Sequence, residues 1–327
     1  MVQILGMGYA HPDILMDNKF IEDLDIGTSQ EWIIEKIGIK SRLISLPLDY
    51  IRETKNEDPE AARAVATTTP VALGTEACRM AIDQAGLKVE DIGLILCNCS
   101  AANETIPAVA QSVARSLGLN VVAYDVHTAC PAFALHLNFI DNFKDEALPD
   151  YVLCLSTAAL SQHVNFSDRS DAAIWGDGAA AWIVSTRHKG KLKLIDSLYT
   201  TDPLRCDAVV IDTYGHFHQD GRAVRDFSVR QTVRLIRKIE QEHDIDWNRD
   251  IFIGHQANKT MLEQITNNRK IPPTNHWHNV TEIGNQAGAG CPATLAMNWD
   301  KVVSGQKIVI AVVGAGLSWG SAVFEVQ

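Results

Sequence analysis

Apolar positions along the chain fall into short blocks and longer periodic stretches, and the two alternate. Residues 92–96, 251–253 and 308–313 are short apolar runs that read as strands, the last buried on both faces. Between them, periodicity and capping residues predict helices. One is opened by Thr69 with Pro70 and closed by Gly86, one spans 107–117 and ends at Gly118, one covers 225–241, and one covers 287–303. Sheets covered by helices follow from that alternation. Two small-residue turns, one around Gly176, Asp177 and Gly178 and one across Gly314, Ala315 and Gly316, mark places where backbone comes close to something. Neither is a phosphate loop, because no Gly-Lys-Ser/Thr follows.

One position stands out within this pattern. The extended apolar segment 121–126 runs into a helix predicted to start at Pro131, and Cys130 sits at the junction. Free N–H groups at a helix start act like about half a positive charge. They are expected to lower the cysteine pKa and favour the thiolate, which makes Cys130 the candidate nucleophile. A weak internal repeat extends the site. Ala102, Asn103 and Thr105 after one strand match Ala257, Asn258 and Thr260 after another, 155 residues further on. The same offset carries Cys130 to Asn285, at another strand-to-helix junction. Two half-molecules packed about a pseudo-twofold axis would bring both helix starts to one cavity, with His255 opening a loop beside them.

Composition permits this design and excludes others. A chain of 327 residues with 46% hydrophobic and 21% charged residues is long enough for two fused half-domains around buried cores. The start of the chain lacks a basic region followed by a long apolar one, and no run of 18 apolar residues follows, so a cytoplasmic enzyme without membrane spans is expected. Seven cysteines then read as reduced thiols. Cys97 and Cys99 lack zinc spacing, and no carboxylate or thiol pattern completes His216 with His218 or His276 with His278, so no metal site is expected. A formal charge of -11 argues against nucleic-acid binding. The exception is local: Arg222, Arg225, Arg230, Arg234, Arg237 and Lys238 fall close together, along one helical face from Arg230 onward. That face is either solvated or a docking surface for an acidic or phosphate-bearing partner.

Taken together, the motifs give the chain a resemblance that runs its whole length. Thr28 to Ile33, Gly38 to Arg42, Asp125 to Cys130, Asp168 with Arg169, Gly176 to Ala179, His255 to Asn258, Gly284 with Asn285, and Ser318 to Ala322 resemble, in order and spacing, the beta-ketoacyl-acyl carrier protein synthase III group of thiolase-fold condensing enzymes. The resemblance implies an α/β, five-layered αβαβα fold of two related halves, here 1–185 with the cysteine and 186–327 with the histidine and asparagine. It also implies a homodimer and a Cys130, His255 and Asn285 active site. Cys130 would take an acyl group from acyl-CoA. Neutral His255 and Asn285 would donate N–H groups to the enolate formed when a malonyl-type thioester, on acyl carrier protein or CoA, loses carbon dioxide. The backbone N–H groups of Cys130 and Gly316 are the expected oxyanion donors. Trp32 and Arg169 match positions that sandwich the adenine of coenzyme A, and Arg230, Arg234 and Lys238 match a carrier-docking helix. Substrates are CoA or phosphopantetheine thioesters, with no permanently bound cofactor.

The chain also departs from the family pattern. Pro131-Ala132-Phe133 replaces the usual Ser-Gly-Phe, segment 43–68 is longer, and Asn103 to Pro107 lacks an aromatic that often closes the acyl pocket. A longer, branched or polar primer is therefore as consistent with the sequence as acetyl. Three other readings compete. The order Cys, His, Asn also resembles papain-like proteases, but no matching box surrounds Cys130 and a protease needs no paired halves. Acyl transfer to oxygen or nitrogen, or a noncatalytic partner subunit, would have no use for Asn285, since neither forms an enolate.

Overall fold

The computed structural model describes residues 1–327. After β1 (Gln3–Ala10), a ribbon of β2 (Ile14–Asp17) and β3 (Ser41–Ile44) encloses α1 (Asn18–Glu22) and α2 (Gln30–Lys36), and α3 (Leu48–Thr54) and α4 (Pro59–Val65) follow. Next come α5 (Pro70–Gln84), β4 (Leu94–Cys99), α6 (Val109–Leu117), β5 (Val122–Asp125), α7 (Ala132–Asp141), β6 (Val152–Ala158), a short α8 (Arg169–Ala172) and β7 (Gly178–Ser185). The remainder comprises β8 (Leu192–Thr201), the hairpin β9 (Val209–Ile211) and β10 (Phe217–Gln219), α9 (Gly221–Glu242), β11 (Ile251–Gly254), α10 (Lys259–Arg269), α11 (Val280–Ile283), α12 (Gly290–Met297), β12 (Lys307–Gly314) and β13 (Ser318–Val326). No helix is long and apolar enough to cross a membrane.

Nine strands are connected in the order β11-β12-β13-β8-β1-β7-β6-β4-β5, but the centre of that series is thin. Only Gln3 with Lys193 and Ile4 with Leu192 join β1 to β8, so the strands behave as a five-stranded and a four-stranded sheet. Period-two alternation then assigns the layers. Leu94, Leu96, Ile308, Ile310 and Val312 point into one shared core with Phe133 and Leu137 of α7 and Leu295 of α12. Their neighbours Ile95 and Cys97 pack outward on α5 and α6, and Val309 and Ala311 pack outward on α9 and α10. The outcome is five layers, with α7 and α12 buried between the two sheets. Both helices start at the edge of the same central layer, which is why the residues preceding them can meet.

Element order repeats: β4, α6, β5, α7, β6 corresponds to β11, α10, α12, β12, with the equivalent of β5 reduced to a single bridge between Phe252 and His276. The Ala-Asn-x-Thr elements follow the ends of β4 and β11 at the same distance, but only the second of them caps a helix. Asn258 caps α10 by accepting the Met261 N–H at 2.8 Å, whereas Asn103 lies in irregular chain before α6.

Predicted helix starts are largely met by local chemistry. Thr69 caps α5, accepting from the Ala72 N–H at 3.1 Å, and Gly118 ends α6 in the left-handed region at φ 79°. Helix α6 begins at Val109 rather than 107, where the Asp125 carboxylate accepts the free N–H groups of Val109 and Ala110 at 3.0 and 2.9 Å. The single helix expected over 287–303 is instead a 3-10 turn, α12, and a second turn after Asn298. Pro292 is the reason: it has no N–H and is tolerated only in a first turn, so a helix begun at 287 would hold it in the interior.

The turn at Asp177 is anchored within the first half by its side chain and meets the second half through main chain. Its buried carboxylate accepts the main-chain and hydroxyl groups of Ser45 (2.7 Å each) and of Ser161 (2.8 and 2.5 Å). The flanking glycines are required by close approach: a Cβ on Gly176 would lie 2.0 Å from the Ile283 carbonyl oxygen, and one on Gly178 would lie 2.0 Å from Gln286 Nε2. Replacing Asp177 by Ala strands four buried donors. We expect a loss of about 3 kcal/mol or more, read as a lower urea midpoint at unchanged slope; a midpoint within error of wild type would refute the role given to this carboxylate.

Candidate active site

Cys130 is placed by a turn that the chain holds under strain. Ala129 adopts φ 54°, an uncommon conformation for a residue with a Cβ, and this swings Cys130 out just ahead of Pro131, the residue before the first of α7. The helix therefore starts one residue later than expected. Gly314 at the end of β12 comes so close that a Cβ there would lie 2.6 Å from Cys130 Cβ. The next residue turns its N–H onto the sulfur, and Cys130 adds its own. The amides that bear on the sulfur are those of Cys130 and Ala315, while Gly316, expected from the sequence, does not line the cavity. Gly316 lies beyond the cavity wall at φ 120°. Its turn positions the preceding amide.

The lowered thiol pKa expected from a helix N-terminus is not what the surroundings produce. Burial pushes the Cys130 thiol up to about 12, more than the two facing N–H groups draw it down. A helix dipole is worth at most about 2 kcal/mol in favourable geometry, whereas burying a charge can shift a pKa by several units. Desolvation wins, and the resting group is a thiol.

Asn285 is fixed by main chain on both sides. Its N–H donates to the Ile174 carbonyl at 2.9 Å and its carbonyl accepts from the Gly176 N–H at 3.0 Å. The side-chain oxygen accepts the Ala287 N–H at 2.9 Å, which leaves the amide NH2 free to donate. Gly284, at φ 84°, lets this segment pass against Gly176 and Arg42. His255 follows β11 and is buried, with Nδ1 enclosed and unpartnered. Burial lowers its pKa to about 4, so the imidazole is neutral across the physiological range. Cys130, His255 and Asn285 all line one cavity of about 370 Å³, together with Gly314 and Ala315.

The same cavity reaches the surface past Trp32, Lys36 and the first turns of α9, where Arg225 and Ser228 contribute. Arg169 stacks on the Trp32 ring at 5.0 Å and donates to the Gly27 carbonyl at 2.9 Å, so the expected pair stands together at the mouth. Arg230, Arg234 and Lys238 are exposed further along α9, outside the cavity. Lys238 pairs with Glu242 at 3.8 Å and Arg230 turns back onto the Asp226 carbonyl. Sequence reasoning missed Ala315, Val209 and Phe217 as cavity residues. A one-residue offset hid the first, and the last two come from a hairpin too short to show a period. The one cluster of metal-capable side chains, Asp196, Glu242 and His243, does not line the cavity and shares no residue with the His216 or His276 pairs.

The arrangement is that of a thiol nucleophile facing two neutral N–H donors, which suits acyl transfer followed by stabilisation of an enolate. Comparison with known proteins agrees. Family models described as 3-Oxoacyl-[acyl-carrier-protein (ACP)] synthase III and its C-terminal part match residues 124–203 and 241–326, between them half of the chain. Curated relatives named Beta-ketoacyl-[acyl-carrier-protein] synthase III from Porphyra purpurea and Brucella anthropi are each 28% identical, covering 100% and 98% of this chain and 99% and 98% of their own. The crystal structure of 3-oxoacyl-[acyl-carrier-protein] synthase III from Aquifex aeolicus superposes with a TM-score of 0.86 at 26% identity, over 99% of this chain and 100% of that one. The enzyme of the same name from Thermus thermophilus, at 23% identity, shares the fold with a TM-score of 0.85 over 99% of each chain. A thiolase fold, a cysteine between two main-chain donors and matches over both halves lead to one conclusion: the chain belongs to the 3-oxoacyl-[acyl-carrier-protein] synthase III family of condensing enzymes.

Proposed function

We propose that the protein catalyses a decarboxylative condensation in which Cys130 carries the acyl primer. The observation that carries this reading is the meeting of Cys130, His255 and Asn285 on one cavity, with the carboxamide turned so that its NH2 is free. An acyl-CoA enters past Trp32 and Arg169. The Cys130 sulfur attacks the thioester carbonyl, the N–H groups of Cys130 and Ala315 hold the developing oxyanion, and CoA leaves as its thiol. Burial raises the thiol and lowers the imidazole, so both shifts oppose complete transfer of the proton from Cys130 to His255. The proton therefore passes to the departing sulfur as the new C–S bond forms, and His255 remains a donor rather than the base.

A malonyl-type thioester then occupies the cavity. Loss of carbon dioxide leaves an enolate whose oxygen accepts from His255 and from Asn285 Nδ2, and its carbon attacks the acyl-Cys130 carbonyl. Collapse expels the Cys130 sulfur, which takes up a proton, and a 3-oxoacyl thioester is released. Neutral donors suit this step because they strengthen as charge appears without holding the malonyl carboxylate in place. The extender arrives on acyl carrier protein or CoA, and the exposed Arg230, Arg234 and Lys238 offer an acidic carrier a basic approach to the mouth. A homodimer is part of the same reading, favoured by the uncovered edge strand β5, where Val122 is 63% exposed.

Four outcomes test these roles. Labelled acyl-CoA should mark wild-type protein but not Cys130→Ala, while Asn285→Ala should still self-acylate and lose malonyl decarboxylation by about 100-fold to 1,000-fold; equal loss of both steps would refute the division of labour. Alkylation of Cys130 by iodoacetamide should climb about tenfold per pH unit from 7 to 9, and a plateau in that range would mean a thiolate at rest. Because the His255 pKa is depressed, its neutral form is complete above the ordinary value and gives way to the imidazolium only as pH falls through about 4. Decarboxylation by pre-acylated enzyme should therefore hold down to pH 5. Charge reversal at Arg230 and Arg234 should raise KM for carrier-bound extender well above any change for the CoA-bound form; parallel changes would leave only a solvated face.

A further inference from the structure

The two amides that bear on the Cys130 sulfur come from distant parts of the chain, and a row of hydroxyl groups joins the turns that carry them. Thr128 immediately precedes Ala129, the residue held at φ 54°. Ser318 is buried and opens β13 just after the turn bearing Ala315. Tyr199 reaches Thr128 from β8. It is paired with Gly320, and Gly320 and Ser318 alternate onto one side of β13, so Tyr199 and Ser318 share a face of the sheet. That face is turned to α7, since a Cβ on Gly320 would lie 2.6 Å from Ala134 Cβ. The tyrosine and the serine therefore stand beside the helix that Cys130 leads into.

The Tyr199 and Thr128 hydroxyls are hydrogen-bonded, Thr128 Oγ1 lies 3.5 Å from Ser318 Oγ, and Ser318 Oγ donates to the Ala315 carbonyl at 2.5 Å. Each hydroxyl has a single proton. The Ala315 carbonyl can only accept, so Ser318 gives its proton there and accepts from Thr128, which in turn accepts from Tyr199. The order of donation is thereby fixed, from tyrosine to threonine to serine to carbonyl, and each bond polarises the next. Thr128 is held from the first half as well. Asn98 Oδ1 accepts its N–H at 3.0 Å, and Asn98 Nδ2 donates to Ser156 Oγ at 3.0 Å. A residue with a Cβ keeps a positive φ only where its surroundings over-determine it, and Thr128 supplies that grip on Ala129. Asn285 is fixed separately, by Ile174, Gly176 and Ala287, with none of these hydroxyls among its partners. Tyr199, Thr128 and Ser318 do not line the reactive cavity.

Resting on the condensing role of Cys130, we propose that Tyr199, Thr128 and Ser318 are positioning residues for the oxyanion site of acyl transfer and for that site alone. Their relay runs from β8 to the nucleophile turn and on to the Ala315 turn, and it holds the Cys130 and Ala315 amides in register without touching substrate. Breaking it frees the two turns to shift against each other. The oxyanion formed when Cys130 attacks the acyl thioester then loses preorganised donors. Decarboxylation depends on His255 and Asn285, whose supports lie elsewhere, and keeps its rate.

Two rates measured on the full-length protein separate the steps. Acylation of Cys130 is followed by intact-mass spectrometry with the fastest of acetyl-, isobutyryl- and hexanoyl-CoA, and carbon dioxide release from labelled malonyl-CoA is followed in a single turnover of protein already acylated. Tyr199→Phe and Thr128→Val should each slow acylation about tenfold at saturating acyl-CoA, with KM and carbon dioxide release within about twofold of wild type. Thr128→Ser keeps the hydroxyl and should acylate at close to the wild-type rate. The double variant of Tyr199→Phe with Thr128→Val should lose no more than the slower single one, because both break the same relay. Wild-type acylation in Thr128→Val, an equal fall in both steps, or no advantage of Thr128→Ser over Thr128→Val would overturn the proposal and leave the condensing role intact. Absence of wild-type acylation by all three thioesters would remove both. The Thr128 pair decides the matter even if Tyr199→Phe fails to fold.

Discussion

The pairing of Ile174 and Gly176 with Asn285 is the constraint on which the active site rests. It is made of main chain, so it is insensitive to side-chain rotamers, and it joins a turn of the first sheet to the segment leading into α12. The Asp177 carboxylate anchors that turn from below with four donors, and the glycines on either side let two backbones touch. Asn285 therefore presents its amide from a rigid support. Preorganised donors act without reorganising at the moment charge develops, which is where most electrostatic catalysis lies.

Burial sets the protonation states of the site, and it does so in opposite directions for the two titrating groups. Taking a thiol and an imidazole out of water disfavours the charged form of each, raising Cys130 and lowering His255. A fully charged thiolate and imidazolium pair would have to be held in the same dry cavity at far greater cost. The site instead keeps every group neutral until a thioester arrives and lets charge appear only where N–H groups already point. A cysteine at a helix start is thus tuned by its enclosure more than by the helix behind it.

The walls of the site differ in how freely they can vary. The catalytic face is built from the central layer, where α7 and α12 are clamped between sheets and a change in volume is felt by both. The opposite wall is the small β9 and β10 hairpin. Cys130, His255 and Asn285 stand against the central layer, and the hairpin wall lies at the periphery.

Much of this was legible in the sequence because it depends on local rules. Thr69 and Pro70 opening a helix, Gly118 closing one, and apolar blocks at 92–96 and 308–313 are decided by neighbours in the chain, and the family motifs located Cys130, His255 and Asn285. The break in 287–303 was also written locally, in Pro292, although periodicity overrode it. What the sequence could not determine was which atoms face one another across hundreds of residues. Only the packed structure turns the Ala315 amide toward the sulfur, makes Asn258 a helix cap where Asn103 is not one, and lifts the thiol pKa that the helix start alone would lower. Those outcomes depend on distance and on exclusion of water, and both exist only once the two sheets have closed on α7 and α12.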